Sequence, residues 1–134
     1  MPLRTYLSFP GTCAEALADY ARILGGTIVH LHPWGDSGPA GFEDRIIHGE
    51  WRVDGTVVFA CDAPPDRFEP AQGTSLSWNT TDPAEAERVF AALADGGRVL
   101  LPFGPAPWSA GYGMCVDRHG IPWQVNVDSE PPAS

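Results

Sequence analysis

Two pairs of titratable side chains have a spacing that suits chemistry on a sheet. His30 and His32 are two residues apart in one strand-like run, and His48 and Glu50 are two apart in the next. Residues two apart on a strand lie on the same face, so each pair shares a face. Imidazole and carboxylate groups suit zinc, iron or nickel, and neighbouring strands would bring the four together as a divalent-metal site. The alternative is a polar sheet face whose imidazoles are satisfied by hydrogen bonds.

His48 and Glu50 also have a use that needs no metal. Imidazole titrates near neutral pH, so His48 can serve as a general base with Glu50 orienting its ring. The same two side chains can instead line a cavity as a polar pair. They are the candidate catalytic residues.

Aromatic side chains suggest a small-molecule site, because aromatic walls with a few polar groups line many such pockets. The chain has five tryptophans. Trp51 and Trp123 lie in strand-like runs and are expected in the core, whereas Trp34 and Trp108 lie in Pro-rich loops, where core burial is harder. With polar and sulfur-containing neighbours, the candidate ligand-binding residues are Trp34, Ser75, Ser77, Trp108, Tyr112, Met114 and Gln124.

Composition excludes several classes of protein. The net charge is −9 with only eight Lys and Arg, which disfavours nucleic acid and anionic membranes as partners. No apolar run approaches the roughly 20 residues of a membrane helix, and no signal peptide is expected at the start. Three Cys without a CxxC pattern indicate neither a disulfide framework nor a zinc knuckle, and Cys61 is expected to be a buried structural thiol. A cytoplasmic location is predicted.

Hydrophobic periodicity and turn residues predict two similar halves. The first half has strands at 3–9, 27–32, 44–53 and 56–61, a helix ending at 24, and a Pro/Gly loop at 33–42. The second half has strands at 74–79, 98–101, 112–117 and 121–127, a helix opened by Thr81-Asp82-Pro83, and a Pro-rich loop at 102–110. Glu85 lies three residues past Asp82, as in a capping box.

The repeated order is strand, helix, Gly-Gly, strand, loop and hairpin. The predicted fold class is α+β, with two βαβββ modules forming a curved mixed sheet around an enclosed cleft, because one module leaves a sheet face uncovered. The modules are 1–62 and 74–127, the connector is 63–73, and a disordered tail is 128–134.

Long segments of the chain resemble the vicinal-oxygen-chelate superfamily, which includes glyoxalase I, extradiol dioxygenases and fosfomycin- or bleomycin-resistance proteins. More specifically, the chain is similar to the PhnB-like branch, once labelled a demethylubiquinone methyltransferase domain. The matching segments span Tyr6 to Val127: YLSFPGTCAEALADYARILGG, IIHGEW with its DG turn, SLSW followed by DPAEAERVFAALADGG, and FGPAPWSAGYGMCVDRHGIPWQVNV.

The resemblance implies one divalent metal, held by His, Glu or Gln from inner strands and binding two neighbouring substrate oxygens. On this chain those positions fall at Arg4 or Thr5, Phe59 or Ala60, Ser75 or Leu76, and Gln124. Only Gln124 is a possible ligand, so the usual metal set is missing. A methyltransferase is disfavoured because no Gly-rich loop follows a first strand.

Three functions are therefore considered. The first is a homodimeric protein that binds a small, potentially aromatic molecule in the cleft, as resistance proteins do, with the acidic charge favouring a cationic ligand such as a glycopeptide antibiotic. The second is a metal-dependent lyase, isomerase or dioxygenase using His48 and Glu50, with His30, His32 or Gln124 as further ligands. The third is an orphan protein with a vestigial cleft.

Overall fold

The chain folds as two βαβββ units, divided between Pro70 and Ala71. The computed structural model describes residues 3–129. Unit 1 contains β1 (Thr5–Phe9), α1 (Cys13–Leu24), β2 (Thr27–Pro33), a 3-10 turn (Gly35–Ser37), β3 (Ile46–Val53) and β4 (Thr56–Asp62). Unit 2 contains β5 (Leu76–Thr80), α2 (Pro83–Ala94), β6 (Arg98–Ala106), β7 (Ser109–Val116) and β8 (Pro122–Val127). The predicted α+β class with two βαβββ modules is confirmed.

Both sheets have the same topology. The strand orders are β1-β4-β3-β2 and β5-β8-β7-β6. The first strand of each unit runs parallel to the fourth, and the other neighbours are antiparallel. The hairpin between β3 and β4 turns at Asp54 and Gly55, whose φ angles are 48° and 76°, as the Asp-Gly pair predicts.

One helix packs on one face of each sheet. In unit 1, Tyr20 of α1 stacks near Trp51 with ring centroids 5.7 Å apart. In unit 2, Phe90 of α2 meets Phe103 at 5.7 Å. Trp51 and Trp123 are buried, so their predicted core positions are confirmed.

The free N–H groups at the start of α2 have nearby side-chain acceptors. Asp82 caps α2 by accepting a hydrogen bond from Ala84 N at 3.0 Å, and Pro83 occupies the first turn. The backbone N–H of Asp82 donates to Thr80 Oγ1, while Glu85 lies 3.7 Å from Arg88. In the predicted capping box, Glu85 would accept the hydrogen bond from Asp82 N. In the structure, Thr80 accepts that hydrogen bond instead.

The segment predicted as a loop at 102–110 is largely strand. β6 continues to Ala106 and β7 begins at Ser109, which leaves only Pro107 and Trp108 for the turn. β6 is an edge strand, where a proline does not remove a needed ladder hydrogen bond. That is why Pro102 and Pro105 are compatible with the strand.

At the carboxyl end, Asp128 N donates to Thr80 O at 2.8 Å, so this residue of the predicted tail is tied to β5. The tail prediction for 130–134 lies outside the described residues. Neither helix described here has the length and apolarity to cross a membrane.

Candidate functional site

Each sheet has a second face, turned away from its helix, which we call the distal face. In unit 1, alternation along the strands places Leu7, Phe9 and Trp51 on the helix side, where they are buried. The distal face of unit 1 then includes Tyr6, Ser8, His30, His32, His48, Glu50, Arg52, Val57, Phe59 and Cys61. Arg4, just before β1, reaches the same face, with its guanidinium carbon 5.6 Å from the centre of the Phe59 ring.

Strand register sets these side chains in rows. Tyr6 lies opposite Phe59, Phe59 opposite Glu50, and Glu50 opposite His30. His48 lies opposite His32 in the neighbouring row. Strands β2 and β3 are neighbours, so the two His/Glu pairs found in the sequence do share one face.

His48 is the centre of the cluster. Its Nδ1 lies within hydrogen-bond distance of the Tyr6 hydroxyl, at 3.3 Å. Its ring is 4.9 Å from Phe59 and 5.6 Å from His30, measured between centroids. His30 and His32 are 4.5 Å apart. Imidazole, phenol and phenyl rings thus form one continuous wall.

Glu50 has a side-chain partner other than His48. Its carboxylate pairs with Arg52 Nε, and the residue is buried. His48 is instead near Tyr6, whose hydroxyl reaches its ring from β1 across the intervening strand β4. The catalytic roles of His48 and Glu50 remain predictions.

The Tyr6 hydroxyl keeps its proton well above neutral pH. Partial burial, followed by the charge of Cys61 and a hydrogen bond to it, raises the pKa of Tyr6 to about 12. The hydroxyl can therefore donate to a ligand or to His48. Cys61, predicted to be buried, is only half-buried, and its sulfur lies 3.8 Å from Ser8 Oγ.

The residues at the family's metal positions do not fit a metal. Phe59 and Ala60 offer no donor atom, and the Gln124 carbonyl already accepts a hydrogen bond from Tyr112. Although His30, His32 and His48 are neighbours, no group of three or more His, Cys, Asp or Glu side chains in the described part of the chain is arranged to hold a metal ion. Whether the protein takes up a metal stays a prediction.

The distal face of unit 2 is uncharged at its centre. Tyr112 donates from its hydroxyl to Gln124 Oε1 at 2.7 Å, and Gln124 Nε2 donates to Ser75 Oγ at 3.1 Å. Met114 lies opposite Gln124. Ser77 accepts a hydrogen bond from Asn79 at 3.1 Å. Five of the predicted ligand-binding residues, Ser75, Ser77, Tyr112, Met114 and Gln124, are therefore brought together.

Trp108 and Asn126 flank Tyr112 on this face. Trp108 is 65% exposed and meets the Tyr112 ring edge-on, at 5.1 Å between centroids and 74° between planes. Asn126 lies opposite Tyr112, and its side-chain oxygen is buried without a hydrogen-bond partner among residues 3–129. An aromatic surface and an acceptor are thus close together.

Trp34 has contacts that explain it without a ligand. Its Nε1 donates to the backbone oxygen of Asp62 at 2.9 Å, and its ring meets Phe42 edge-on at 6.2 Å. Arg67 lies over the same ring at 5.9 Å. These contacts anchor the Pro/Gly loop to the end of β4. A ligand-binding role for Trp34 remains a prediction.

Two buried carboxylates organise the chain near the sheets. Asp62 accepts from Cys13 N and Ile46 N, each at 2.8 Å. Asp117 accepts from His119 N at 2.8 Å, Ile121 N at 3.1 Å and Trp123 Nε1 at 2.8 Å. Because all these donors are backbone or core groups, both aspartates are structural.

Four residues of the unit 1 cluster were not among the candidate catalytic or ligand-binding residues expected from the sequence: Arg4, Tyr6, Ser8 and Phe59. A signal for the first three was present, since Arg4, Tyr6 and Ser8 alternate with Thr5, Leu7 and Phe9. Such alternation predicts one polar and one apolar face. What it does not reveal is the parallel pairing of β1 with β4, which brings Tyr6 to Phe59.

Comparisons with known proteins identify the family. A family model described as 3-demethylubiquinone-9 3-methyltransferase matches residues 2–126. The chain belongs to this family. The predicted PhnB-like branch is thereby confirmed. The protein YjdN of Escherichia coli K12 is 30% identical over 145 residues, covering 98% of this chain and 99% of that protein.

Two solved structures match along nearly the whole chain. The structure of PA1353 from Pseudomonas aeruginosa is 42% identical, with a TM-score of 0.89 over 96% of this chain and 98% of that one. The PhnB protein from Bacillus cereus is 28% identical, with a TM-score of 0.85 over 94% and 98%. At 10% identity, the fosfomycin-resistance protein FosX of Listeria monocytogenes has a TM-score of 0.66. The glyoxalase-like fold is therefore shared.

Proposed function

We propose that this PhnB-like protein binds a small aromatic molecule on the distal faces of its sheets. The observation that carries the proposal is the wall formed by Tyr6, His48 and Phe59, which are joined by ring contacts across three strands. Aromatic groups beside a few hydrogen-bonding groups are typical of small-molecule sites. Methyl transfer is not part of the proposal, because the β1–α1 connection, 10–12, has a single Gly and no phosphate-binding loop.

Unit 2 supports the same function with different groups. The Trp108 and Tyr112 rings meet edge-on and offer an apolar surface, with Trp108 65% exposed. An uncharged aromatic ligand can pack there without displacing a charge. Each distal face is therefore a candidate contact surface in its own right.

The test is a ligand-detected NMR titration with benzyl alcohol as an aromatic probe. In Phe59→Leu the ring is lost but the apolar volume is largely kept, so affinity should fall at least about fivefold. Phe68→Leu, which changes a half-buried phenylalanine in the connector, should bind as the unchanged protein does. Absence of binding, or equal binding by Phe59→Leu, would contradict the proposal.

A metal-dependent lyase, isomerase or dioxygenase is the second candidate. The three neighbouring imidazoles favour it, whereas the residues at the family's metal positions do not. Metal content of protein purified without a His-tag separates the candidates. Near one divalent metal per chain, lost in His48→Ala, would support the enzyme.

We further propose that the protein is a homodimer that uses the β6 edge. Val99, Leu100 and Leu101 on this edge strand are between 43% and 49% exposed. An exposed apolar edge is a template for pairing with another strand. Light scattering after size exclusion should give twice the chain mass, and Leu100→Lys should give the mass of one chain. A single-chain mass for the unchanged protein would contradict this.

A further inference from the structure

The distal face of unit 1 has a charge balance opposite to that of the chain. The whole chain carries 17 acidic and eight basic residues. On this face the basic groups are Arg4 and Arg52, joined by the imidazoles of His30, His32 and His48. The described carboxylate on the face is Glu50, and Arg52 pairs with it. Arg4 and the imidazoles are thus left without a carboxylate on the face that they share.

The hydrogen-bonding groups on this face are mainly donors. The Tyr6 hydroxyl keeps its proton at neutral pH, and Ser8 adds a second hydroxyl in the same strand. A neutral imidazole offers one N–H and a charged imidazole offers two. Guanidinium groups only donate. A ligand that accepts hydrogen bonds through negatively charged oxygens matches this set best.

Geometry links the donors to an aromatic surface. Arg4 lies 5.6 Å over the Phe59 ring, and that ring is 4.9 Å from His48. A flat ring placed against Phe59 would therefore have both a guanidinium and an imidazole near its edge. A carboxylate on such a ring would meet both.

We propose that the distal face of unit 1 binds a small aromatic acid, with Arg4 and His48 holding its carboxylate and Phe59 contacting its ring. The proposal rests on the small-molecule function proposed above and names the chemical class of the ligand. It reverses the expectation of a cationic ligand from net charge, because the field at a site depends most on the nearest charges. Unit 2 has no comparable group of Arg and His side chains on the central rows of its described distal face.

The test compares benzoate, benzyl alcohol and benzylamine, which share a ring and differ in charge. At low ionic strength, benzoate should bind at least about tenfold more tightly than benzylamine, with benzyl alcohol between them. Affinity is read from ligand-detected NMR titrations of the full chain. Tighter or equal binding of benzylamine overturns the inference while leaving the small-molecule function intact. Absence of binding by all three probes overturns both.

Matched variants assign the selectivity to this face. Arg4→Gln should weaken benzoate binding about fivefold or more and leave benzyl alcohol binding within about twofold. Arg22→Gln removes the same charge from α1, on the other side of the sheet, where Arg22 pairs with Asp19 at 3.3 Å. It should leave both affinities unchanged. Equal loss in the two variants would show that only net charge matters and would overturn the assignment.

Discussion

The two distal faces differ, although the two units have the same strand order. In unit 1 the rows contain Tyr6, His30, His48 and Phe59, with Arg4 over the last ring. In unit 2 the corresponding surface has a chain of neutral hydrogen bonds from Tyr112 through Gln124 to Ser75. The helix-facing sides, by contrast, are both apolar and both braced by a buried aspartate. One topology thus carries two surfaces with different chemistry.

The buried aspartates should show the largest effect and should behave alike. Asp62→Ala leaves the N–H groups of Cys13 and Ile46 without their acceptor, and Asp117→Ala does the same to three donors. Each change should lower the free energy of unfolding by about 3 kcal/mol. Urea denaturation followed by circular dichroism measures it.

The control for this pair is Asp66→Ala, which changes an exposed residue of the connector and should cost less than about 0.5 kcal/mol. If the free energy of unfolding falls by less than about 1 kcal/mol in either Asp62→Ala or Asp117→Ala, the two helix-facing sides are not stabilised in the same way.

Replacing a closely packed glycine should cost more stability in unit 2 than in unit 1. A Cβ on Gly113 would lie 2.6 Å from a Phe90 ring carbon and 3.0 Å from the Phe103 backbone. A Cβ on Gly49 would lie 2.9 Å from the end of the Leu31 side chain, which is 37% exposed and can turn away. Gly113→Ala should therefore cost about 3 kcal/mol and Gly49→Ala about 1 kcal/mol in urea denaturation.

Gly104 supplies the control, because no atom of another described residue lies within 4 Å of where its Cβ would be. Gly104→Ala should change the free energy of unfolding by less than about 0.5 kcal/mol. Equal costs for Gly49→Ala and Gly113→Ala would show that the two helix packings are equally tight.

Removing a single hydroxyl should separate the faces directly. Tyr112→Phe takes the donor from Gln124 Oε1 and should cost about 1 kcal/mol of stability. Tyr6 is 51% exposed, so Tyr6→Phe should cost less than about 0.5 kcal/mol but weaken benzoate binding. Thermal unfolding and the benzoate titration together measure both. The reverse pattern, in which Tyr6→Phe costs the stability and Tyr112→Phe weakens benzoate binding, would contradict the contrast between the two distal faces.

The buried thiols of both units should make the free energy of unfolding fall at alkaline pH. Burial, and then the charge of Asp62, raises the pKa of Cys13 from 9.0 to about 12. Burial, and then Asp117, raises the pKa of Cys115 to about 11. The folded protein keeps these protons while the unfolded chain releases them, so stability is present below pH 9 and is lost as pH rises through about 11 to 12.

This pH dependence is measurable because all eight basic residues are Arg, and no lysine titrates in the same range. The fall in the free energy of unfolding between pH 8 and pH 10.5, as read from urea denaturation, should be smaller in Cys13→Ala. Cys61→Ala, which alters a half-buried thiol, supplies the comparison. If the free energy of unfolding of Cys13→Ala falls as much between pH 8 and pH 10.5 as that of the unchanged protein, the Cys13 thiol is not the source of this pH dependence.

Local signals in the sequence were sufficient for much of the fold. Asp82 and Pro83 mark the start of α2, Asp54-Gly55 marks a hairpin, and the repeated order predicts two βαβββ units. The predicted end of β6 was wrong, because a proline on an edge strand gives no local sign that the strand continues. The site was harder, since Tyr6 and His48 are 42 residues apart and meet only through the pairing of β1, β4 and β3.

The most direct test of the contrast uses the four histidines as reporters. His30, His32 and His48 lie on the distal face of unit 1, whereas His119 lies in the turn between β7 and β8. Benzoate is titrated into the protein while the ring-proton signals, assigned with single His→Gln variants, are followed by NMR. The account predicts that the three unit 1 signals shift with one common affinity and that the His119 signal does not. A shift confined to His119, or no shift of the His48 signal at saturating benzoate, would contradict it.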